Sequence, residues 1–159
     1  MIRLFTAIDL PDDVADTLKR RQAGLPGARW RDRDHLHLTL AFYGEIDERQ
    51  ADDLVVGLER AATGGPFEIE LEGVGAFGDA HRSSTLWAGV AAGERLGVLA
   101  GRCRSAAERA GVVMERRTYR PHVTLAYLKP QADPDRIGLY SSVVTDDGGV
   151  YTLEREYLL

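Results

Sequence analysis

The chain has 159 residues, 44% of them apolar and 28% charged, which is the composition of a soluble globular domain with an ordinary core. Its 20 Lys and Arg against 25 Asp and Glu give a formal net charge of −5. This charge argues against a protein that holds long nucleic acid through a broadly basic surface, but it is compatible with a local basic pocket for one phosphate.

The single cysteine and the first residues both favour an intracellular protein. Cys103 stands alone, so it can form neither an intrachain disulfide nor a thiol zinc cluster, and a reducing compartment is expected. Residues 1–8 are apolar only briefly and are interrupted by Arg3 and Thr6, which is too short a run for a signal peptide or a membrane span. We therefore expect a cytoplasmic monomer that does not enter a membrane.

Hydrophobic periodicity predicts three helices and several strands along the chain. Helices are expected at about 11–23, 48–62 and 96–110, and strands at 3–9, 67–77 and 85–90, with two more flanking a turn at 146–149. The second helix is expected to carry Leu54, Val55, Leu58, Ala61 and Ala62 on one face. The third carries Cys103 on its apolar stripe, and Gly111 is placed as its C-terminal cap.

The order of these elements predicts the fold class. Several strands follow one another without a crossover helix between them, and no linker divides residues 1–159. This order is typical of a single α+β domain with largely antiparallel sheets.

An internal repeat carries the candidate chemistry. Residues 37–44 (HLTLAFYG) and 122–129 (HVTLAYLK) match at His, Thr, Leu and Ala in the same register. The two histidines are 85 positions apart (37 to 122), about half of the chain, as a duplicated lobe would give.

Both copies alternate with the period of a β-strand. One face of the first strand is expected to point to the core with Leu36, Leu38, Leu40 and Phe42, and the other to carry His35, His37, Thr39, Ala41 and Tyr43. In the second strand the core face is Val123, Leu125 and Tyr127, and the opposite face is His122, Thr124 and Ala126. Each strand thus presents an imidazole and a hydroxyl side by side.

Two such strands, if brought together with pseudo-twofold symmetry, have the groups that phosphodiester hydrolysis requires. One imidazole takes a proton from water while the other protonates the leaving oxygen, and both titrate near neutral pH. The hydroxyls of Thr39 and Thr124 can hold the non-bridging oxygens, and Arg120, two residues before His122, is the best cationic candidate for the phosphate. No metal or cofactor is needed, and His35 has no third ligand to form a metal site with His37.

At these residues the chain resembles the two-histidine phosphoesterase superfamily, whose mark is a pair of His-x-Thr-x motifs. Within it, the chain is most similar to the RNA 2′,3′-cyclic phosphodiesterases, historically labelled 2′-5′ RNA ligases. The similarity covers nearly the whole chain and includes residues 3–11 (RLFTAIDLP), 36–45, 75–77, 86–90, 120–126 and 150–152.

The resemblance implies a bilobal α+β fold, with antiparallel sheets lining a central cleft and helices on the outside. It implies opening of a 2′,3′-cyclic phosphate at an RNA 3′ end, or on a nucleotide, to leave a 2′-phosphate. His37 would then be the proton donor and His122 the proton acceptor, while Thr39 and Thr124 would bind the phosphate.

One departure and three alternatives accompany this interpretation. Members often carry an arginine five residues after the second histidine, where this chain has Tyr127. The same machinery would also serve cyclic phosphates on non-RNA nucleotides or the cleavage and joining of 2′-5′ linkages. A pocket that binds RNA ends without turnover is the alternative from another class.

Overall fold

The computed structural model describes residues 1–78, 84–91, 93–129, 136–145 and 148–158, the last two ranges for their backbone alone. The α-helices of these residues are α1 (Asp12–Arg20), α2 (Glu48–Ala61) and α3 (Gly93–Arg109). The strands are β1 (Ile2–Asp9), β2 (Ala28–Trp30), β3 (His37–Ile46), β4 (Glu70–Phe77), β5 (Ser84–Ala91), β6 (His122–Leu128), β7 (Arg136–Thr145) and β8 (Gly148–Leu158). A 3₁₀ turn, Arg33–His35, precedes β3.

The sheets confirm the α+β class predicted from the sequence. Six strands form one sheet in the order β1-β3-β6-β5-β4, with β2 paired to β6, while β7 and β8 form a separate hairpin. The pairings β1–β3, β2–β6, β3–β6 and β7–β8 are all antiparallel. The hairpin lies where two late strands were predicted, although residues 146–147 of its turn are outside the described residues.

The chain divides into two compact units. The first contains Met1–Asp9, His37–Gly73 and Ala88–Val123, and the second contains Leu10–Leu36, Val74–Trp87 and Thr124–Leu159. The first unit therefore holds β1, β3, α2 and α3, together with the first two residues of β6. No helix within the described residues is long and apolar enough to cross a membrane.

In the first unit, helices α2 and α3 pack on each other, and α3 also packs against β3. Helix α2 begins at a capping box, in which the Asp47 carboxylate accepts from the Gln50 backbone N–H and the Gln50 side chain accepts from the Asp47 N–H. The Gln50 amide also donates to the Gly111 carbonyl just beyond α3, at 2.9 Å. Cys103 is buried on α3, and Gly111 has the positive φ of a helix C-terminal residue, so both predictions for this helix are confirmed.

Two local predictions for the helices were wrong. Helix α1 ends at Arg20 rather than near residue 23, because the Arg21 N–H closes the last turn on Leu18. Val55 is 55% exposed, although it was expected on the same face as Leu54 and Ala61, which are buried. Its neighbour Leu54 occupies the centre of the buried stripe, and the next residue lies about 100° further round the helix.

In the second unit, α1 is tied to the 3₁₀ turn by Arg33, whose guanidinium contacts Asp12 at 2.8 Å and Asp16 at 2.9 Å. Hydrogen bonds to these two carboxylates raise the pKa of Arg33. The Arg31 carbonyl accepts from Lys19 Nζ at 3.3 Å and from Gln22 Nε2 at 3.0 Å. These contacts fix the segment that leads into β3.

We expect Gly57→Ala to destabilise the protein, although alanine is the better helix former. A Cβ at position 57 would lie 2.9 Å from the Ala106 Cβ, so α2 and α3 would have to separate. Overpacking of this kind costs about 1–3 kcal/mol, which exceeds the helix-propensity gain of about 1 kcal/mol. The measurement is the free energy of unfolding in urea.

Gly97→Ala is the matched control, because a Cβ at that position of α3 meets nothing within 4 Å. It should stabilise the protein by up to about 1 kcal/mol. Ala106→Gly in the Gly57→Ala background should recover part of the loss. Equal stabilisation by both glycine substitutions would contradict the proposed close contact.

Candidate active site

The two His-x-Thr strands lie next to each other in the sheet. Strand β3 pairs with β6 in antiparallel fashion at Leu38 and Val123, and both of these side chains are 0% exposed. Since successive side chains of a strand point to opposite faces, the residues on either side of this buried pair project from the other face.

The register brings three candidate residues of the first unit together. One step from the Leu38–Val123 pair, antiparallel geometry sets Thr39 opposite His122. His37 and His122 then stand diagonally across the two strands, at about 7–8 Å by the usual dimensions of a sheet. All three side chains are partly buried.

The other two candidates, Thr124 and Arg120, lie in the second motif and just before it. Thr124 follows His122 by two positions on β6 and is also partly buried, although it is assigned to the second unit. Arg120 lies before the start of β6, so the alternation that suggested its direction does not apply to it. Its side chain is exposed and makes no ion pair with any residue of ranges 1–78, 84–91 and 93–129.

A hydrogen bond fixes the tautomer of His122. Its Nδ1 lies 2.7 Å from the Arg120 carbonyl oxygen. Because a carbonyl oxygen only accepts, Nδ1 must carry the hydrogen. In the neutral ring the lone pair is therefore on Nε2, the nitrogen that can accept a proton.

The environment of His37 is different. Its ring stacks on Phe5 of β1, with ring centroids 5.0 Å apart and an interplanar angle of 26°. Asp9 lies opposite His37 in the β1–β3 register. The stacking of Phe5 on His37 was not predicted from the sequence, because nothing in the spacing of residues 3–9 singles out one residue as the partner of a histidine 32 positions later.

A tyrosine holds the first motif in place. The hydroxyl of Tyr119 donates to the backbone carbonyl of Thr39 at 3.1 Å. Burial raises the pKa of Tyr119 to about 12, so the hydroxyl keeps its hydrogen at neutral pH. The segment that leads to His122 is thereby attached to the strand that carries His37.

The alternation expected for the two strands holds at first and then breaks. Leu40 and Ala41 are both buried, after which Phe42 is 51% exposed and Tyr43 is 5% exposed. The cause is an irregularity in the β1–β3 pairing, where Ala7 pairs with Thr39 and Thr6 with Ala41, leaving Leu40 unpaired. The assignment of Phe42 to the core and of Ala41 and Tyr43 to the other face was therefore wrong.

The second strand departs from its alternation in the same way. Leu125 and Ala126 are both buried, and Tyr127 is 36% exposed instead of lying in the core. In the second unit two guanidinium groups, those of Arg29 and Arg31, lie over the Tyr127 ring, each 5.3 Å from its centroid. The position where the resemblance led us to expect an arginine thus holds a tyrosine ring that two arginines contact.

A cavity of the first unit lies elsewhere. It has a volume of about 640 Å³ and is bounded by residues of β1, α2 and α3, including Cys103, but by neither histidine of the pair. Where side chains are described, no group of three or more His, Cys, Asp or Glu residues is placed to hold a metal ion. We therefore place the candidate site at the histidines and not in this cavity.

An α+β fold with paired His-x-Thr strands on one sheet defines a protein of the phosphoesterase class. The model of the LigT-like phosphoesterase family matches residues 8–87, half of the chain. A relative from Escherichia coli (strain K12), named RNA 2′,3′-cyclic phosphodiesterase, is 35% identical over 131 residues, which cover 77% of this chain and 70% of the relative. The chain therefore belongs to the LigT-like phosphoesterase family, as the paired motifs indicated.

Other similar proteins extend over almost the full length. A relative from Aquifex aeolicus (strain VF5), also named RNA 2′,3′-cyclic phosphodiesterase, is 27% identical over 170 residues, covering 93% of this chain and 90% of the relative. The crystal structure of E. coli LigT complexed with 3′-AMP superposes with a TM-score of 0.68 at 28% identity, covering 99% of this chain and 97% of that one.

We expect Tyr119→Phe to loosen the first motif without unfolding the protein. The change removes one hydrogen bond, worth about 0.5–1.5 kcal/mol, and leaves the partly buried Thr39 carbonyl without this donor. The measurement is the free energy of unfolding in urea. Tyr43→Phe is a matched control, since the Tyr43 hydroxyl bonds the Thr6 side chain at 2.8 Å and not a motif residue.

Both variants should lose similar stability, while activity should fall further in Tyr119→Phe than in Tyr43→Phe. Equal activity in the two variants would show that the bond to Thr39 does not position the site.

Proposed function

We propose that this protein hydrolyses 2′,3′-cyclic phosphates at RNA ends to 2′-phosphomonoesters, using His37 and His122 as an acid–base pair without a metal. The observation that carries the proposal is the placement of two histidines and a threonine on one face of adjacent strands. Membership of a phosphoesterase family and the activity named for the relatives support the choice of reaction and substrate.

The reaction balances with two proton transfers. Water attacks the phosphorus while His122 Nε2 takes its proton. The bond between phosphorus and the 3′ oxygen breaks, and protonated His37 delivers its proton to that oxygen. The product carries a 2′-phosphate and a 3′-hydroxyl. At the end of the reaction His122 is protonated and His37 is neutral.

A diagonal arrangement suits this displacement. The attacking and leaving oxygens lie on opposite sides of the phosphorus in an in-line reaction, so acid and base must stand on two sides of it. Histidines about 7–8 Å apart across two strands leave room for a phosphate between them. The hydroxyls of Thr39 and Thr124 and the guanidinium of Arg120 are proposed to hold the non-bridging oxygens as charge develops.

The surroundings of the rings support the division of roles. The Arg120 carbonyl holds the Nδ1 hydrogen of His122, so Nε2 is the proton acceptor of the neutral ring. The face of the Phe5 ring lies against His37. An aromatic face attracts a cation, and this contact therefore suits a histidine that enters the reaction with its proton.

The substrate class follows from charge as well as from the relatives. A net charge of −5 does not suit a long duplex, whereas a strand end presents one phosphate and few neighbours. RNA 3′ ends with a cyclic phosphate are therefore the proposed substrates, and the cytoplasm is the proposed place of action.

Replacing either histidine should nearly abolish hydrolysis. Acid–base groups contribute about 10²–10⁴-fold each, so His37→Ala and His122→Ala should each lower kcat by that factor. The measurement is phosphomonoester release from an oligoribonucleotide with a 2′,3′-cyclic end, in excess EDTA.

His35→Ala is the matched control, because His35 lies in the exposed 3₁₀ turn just before β3. It should keep wild-type activity, and chelator should not lower the wild-type rate. Full activity in the His37→Ala/His122→Ala double variant would refute the mechanism.

The identity of the product tests the roles of the two histidines. Expulsion of the 3′ oxygen predicts a terminal 2′-phosphate, which resists a 3′-specific phosphatase and can be identified by ³¹P NMR. A 3′-phosphate would mean that the 2′ oxygen leaves, and the assignment of acid and base would then be wrong. Tight binding of the cyclic end with no phosphomonoester after long incubation would favour a binding protein instead.

A further inference from the structure

The cavity of the first unit has no part in the proposed reaction. Its volume of about 640 Å³ is bounded by residues of β1, α2 and α3 and by the loop that follows α2, and all of its lining residues belong to the first unit. Ligand pockets measure roughly 300–1,000 Å³, whereas voids in a well-packed interior seldom exceed one water molecule. The cavity is therefore large enough to hold a small organic molecule.

Small residues leave this space open, and larger apolar residues line it. Ala7 of β1, Ala62 and Cys103 of α3 have short side chains, and the loop after α2 contributes Gly64 and Gly65. Most of the larger lining side chains are apolar: Ile8, Leu40, Leu58, Phe67, Val98 and Leu99. Contact of these side chains with water costs hydration free energy, which an apolar ligand would recover.

Two arginines of α3 form the polar part of the lining. Arg95 donates to the carbonyls of Gly64 and Pro66, the second at 3.3 Å, and its guanidinium lies 5.1 Å from the centroid of the Phe67 ring. Arg102 Nη1 donates to the carbonyl and to the hydroxyl of Thr63, both at 3.1 Å. These contacts hold both guanidinium groups beside the loop that bounds the cavity.

Both positive charges are available to a ligand. Neither Arg95 nor Arg102 forms an ion pair with a carboxylate of the side chains that the structure describes. Their partners are carbonyl and hydroxyl oxygens, which carry no net charge. Nε and Nη2 of Arg102 make no hydrogen bond within the described residues, so this group keeps donors for an anion.

A carboxylate of the lining distinguishes the two ends of α3. Glu94 also lines the cavity, and it lies next to Arg95 at the start of the helix. Arg102 is eight residues further along, roughly 12 Å at the usual rise of a helix. An anion is repelled by Glu94 and is therefore better placed at Arg102.

We propose that this cavity is a binding site for a small amphipathic anion, a molecule with an apolar chain that ends in a carboxylate or a phosphate. The chain contacts Leu40, Leu58 and Leu99, and the head group accepts hydrogen bonds from Arg102. The lining is mainly apolar and does not suit a polar strand end of RNA. The site is thus separate from the histidine pair, and the inference does not rest on the proposed function.

The head group is tested with four ligands that share one alkyl chain. Isothermal titration calorimetry of the wild type compares decanoate, decyl phosphate, decanol and decylamine, each below the concentration at which it forms micelles. Decanoate or decyl phosphate should bind about tenfold more tightly than decanol, the size of one charge-assisted hydrogen bond, and the cationic amine should bind most weakly. The tighter of the two anions identifies the head group. Equal affinity for the two anions and decanol, or no binding of either anion, overturns the proposal.

Substitutions in α3 test the placement of the charge. Arg102→Gln should weaken binding of the preferred anion about tenfold and leave decanol unchanged, which would also show that the cavity is intact. Arg102→Lys should retain part of the affinity, and Glu94→Gln should increase it. Arg109→Gln is the matched control, because Arg109 is exposed on the same helix and does not line the cavity. The same loss in Arg102→Gln and Arg109→Gln would contradict the assignment.

Methyl NMR tests the location of the bound chain. The methyl resonances of Leu40, Leu58 and Leu99 should shift with the preferred anion, while those of Val55 should not, since Val55 is exposed on α2 and does not line the cavity. Shifts of similar size at Val55 would show general surfactant binding and overturn the site. Thermal melting of each variant checks that it remains folded.

Discussion

The pairing of Leu38 with Val123 is the constraint on which the candidate site depends. Both side chains are completely buried, so neither strand can slip by one residue without exposing its apolar face. The register that buries these residues is the same register that turns His37 and His122 to the opposite face. Core packing therefore fixes which face of the sheet carries the two histidines.

The two histidines, His37 and His122, have different neighbours. A backbone carbonyl meets the Nδ1 hydrogen of His122, and a phenyl ring meets the face of His37. Two identical side chains thus have different surroundings. Tyr119, kept protonated by burial, ties the two motifs together through the Thr39 carbonyl.

Much of the fold could be predicted because the spacing of apolar residues identifies helices and strands, and glycines mark where helices end. The stripe around Cys103 and the glycine at 111 defined α3, and the repeated His-x-Thr strands gave the family. Phe42 and Tyr127 were placed on the wrong face, because a strict period of two cannot anticipate two successive buried residues at 40–41 and 125–126. Tyr119 could not be predicted, since its contact joins residues 80 positions apart through a backbone carbonyl.

The two repeats share more than sequence. From the histidine onward, six residues of each strand follow one order: partly buried, buried, partly buried, buried, buried, exposed. This shared order does not by itself distinguish one histidine from the other. The difference between their surroundings comes from outside the repeated hexapeptide, from the Phe5 ring beside His37 and from the backbone carbonyl of residue 120 beside His122. Because every amino acid carries that carbonyl, only a substitution at residue 5 would remove one of these two contacts directly.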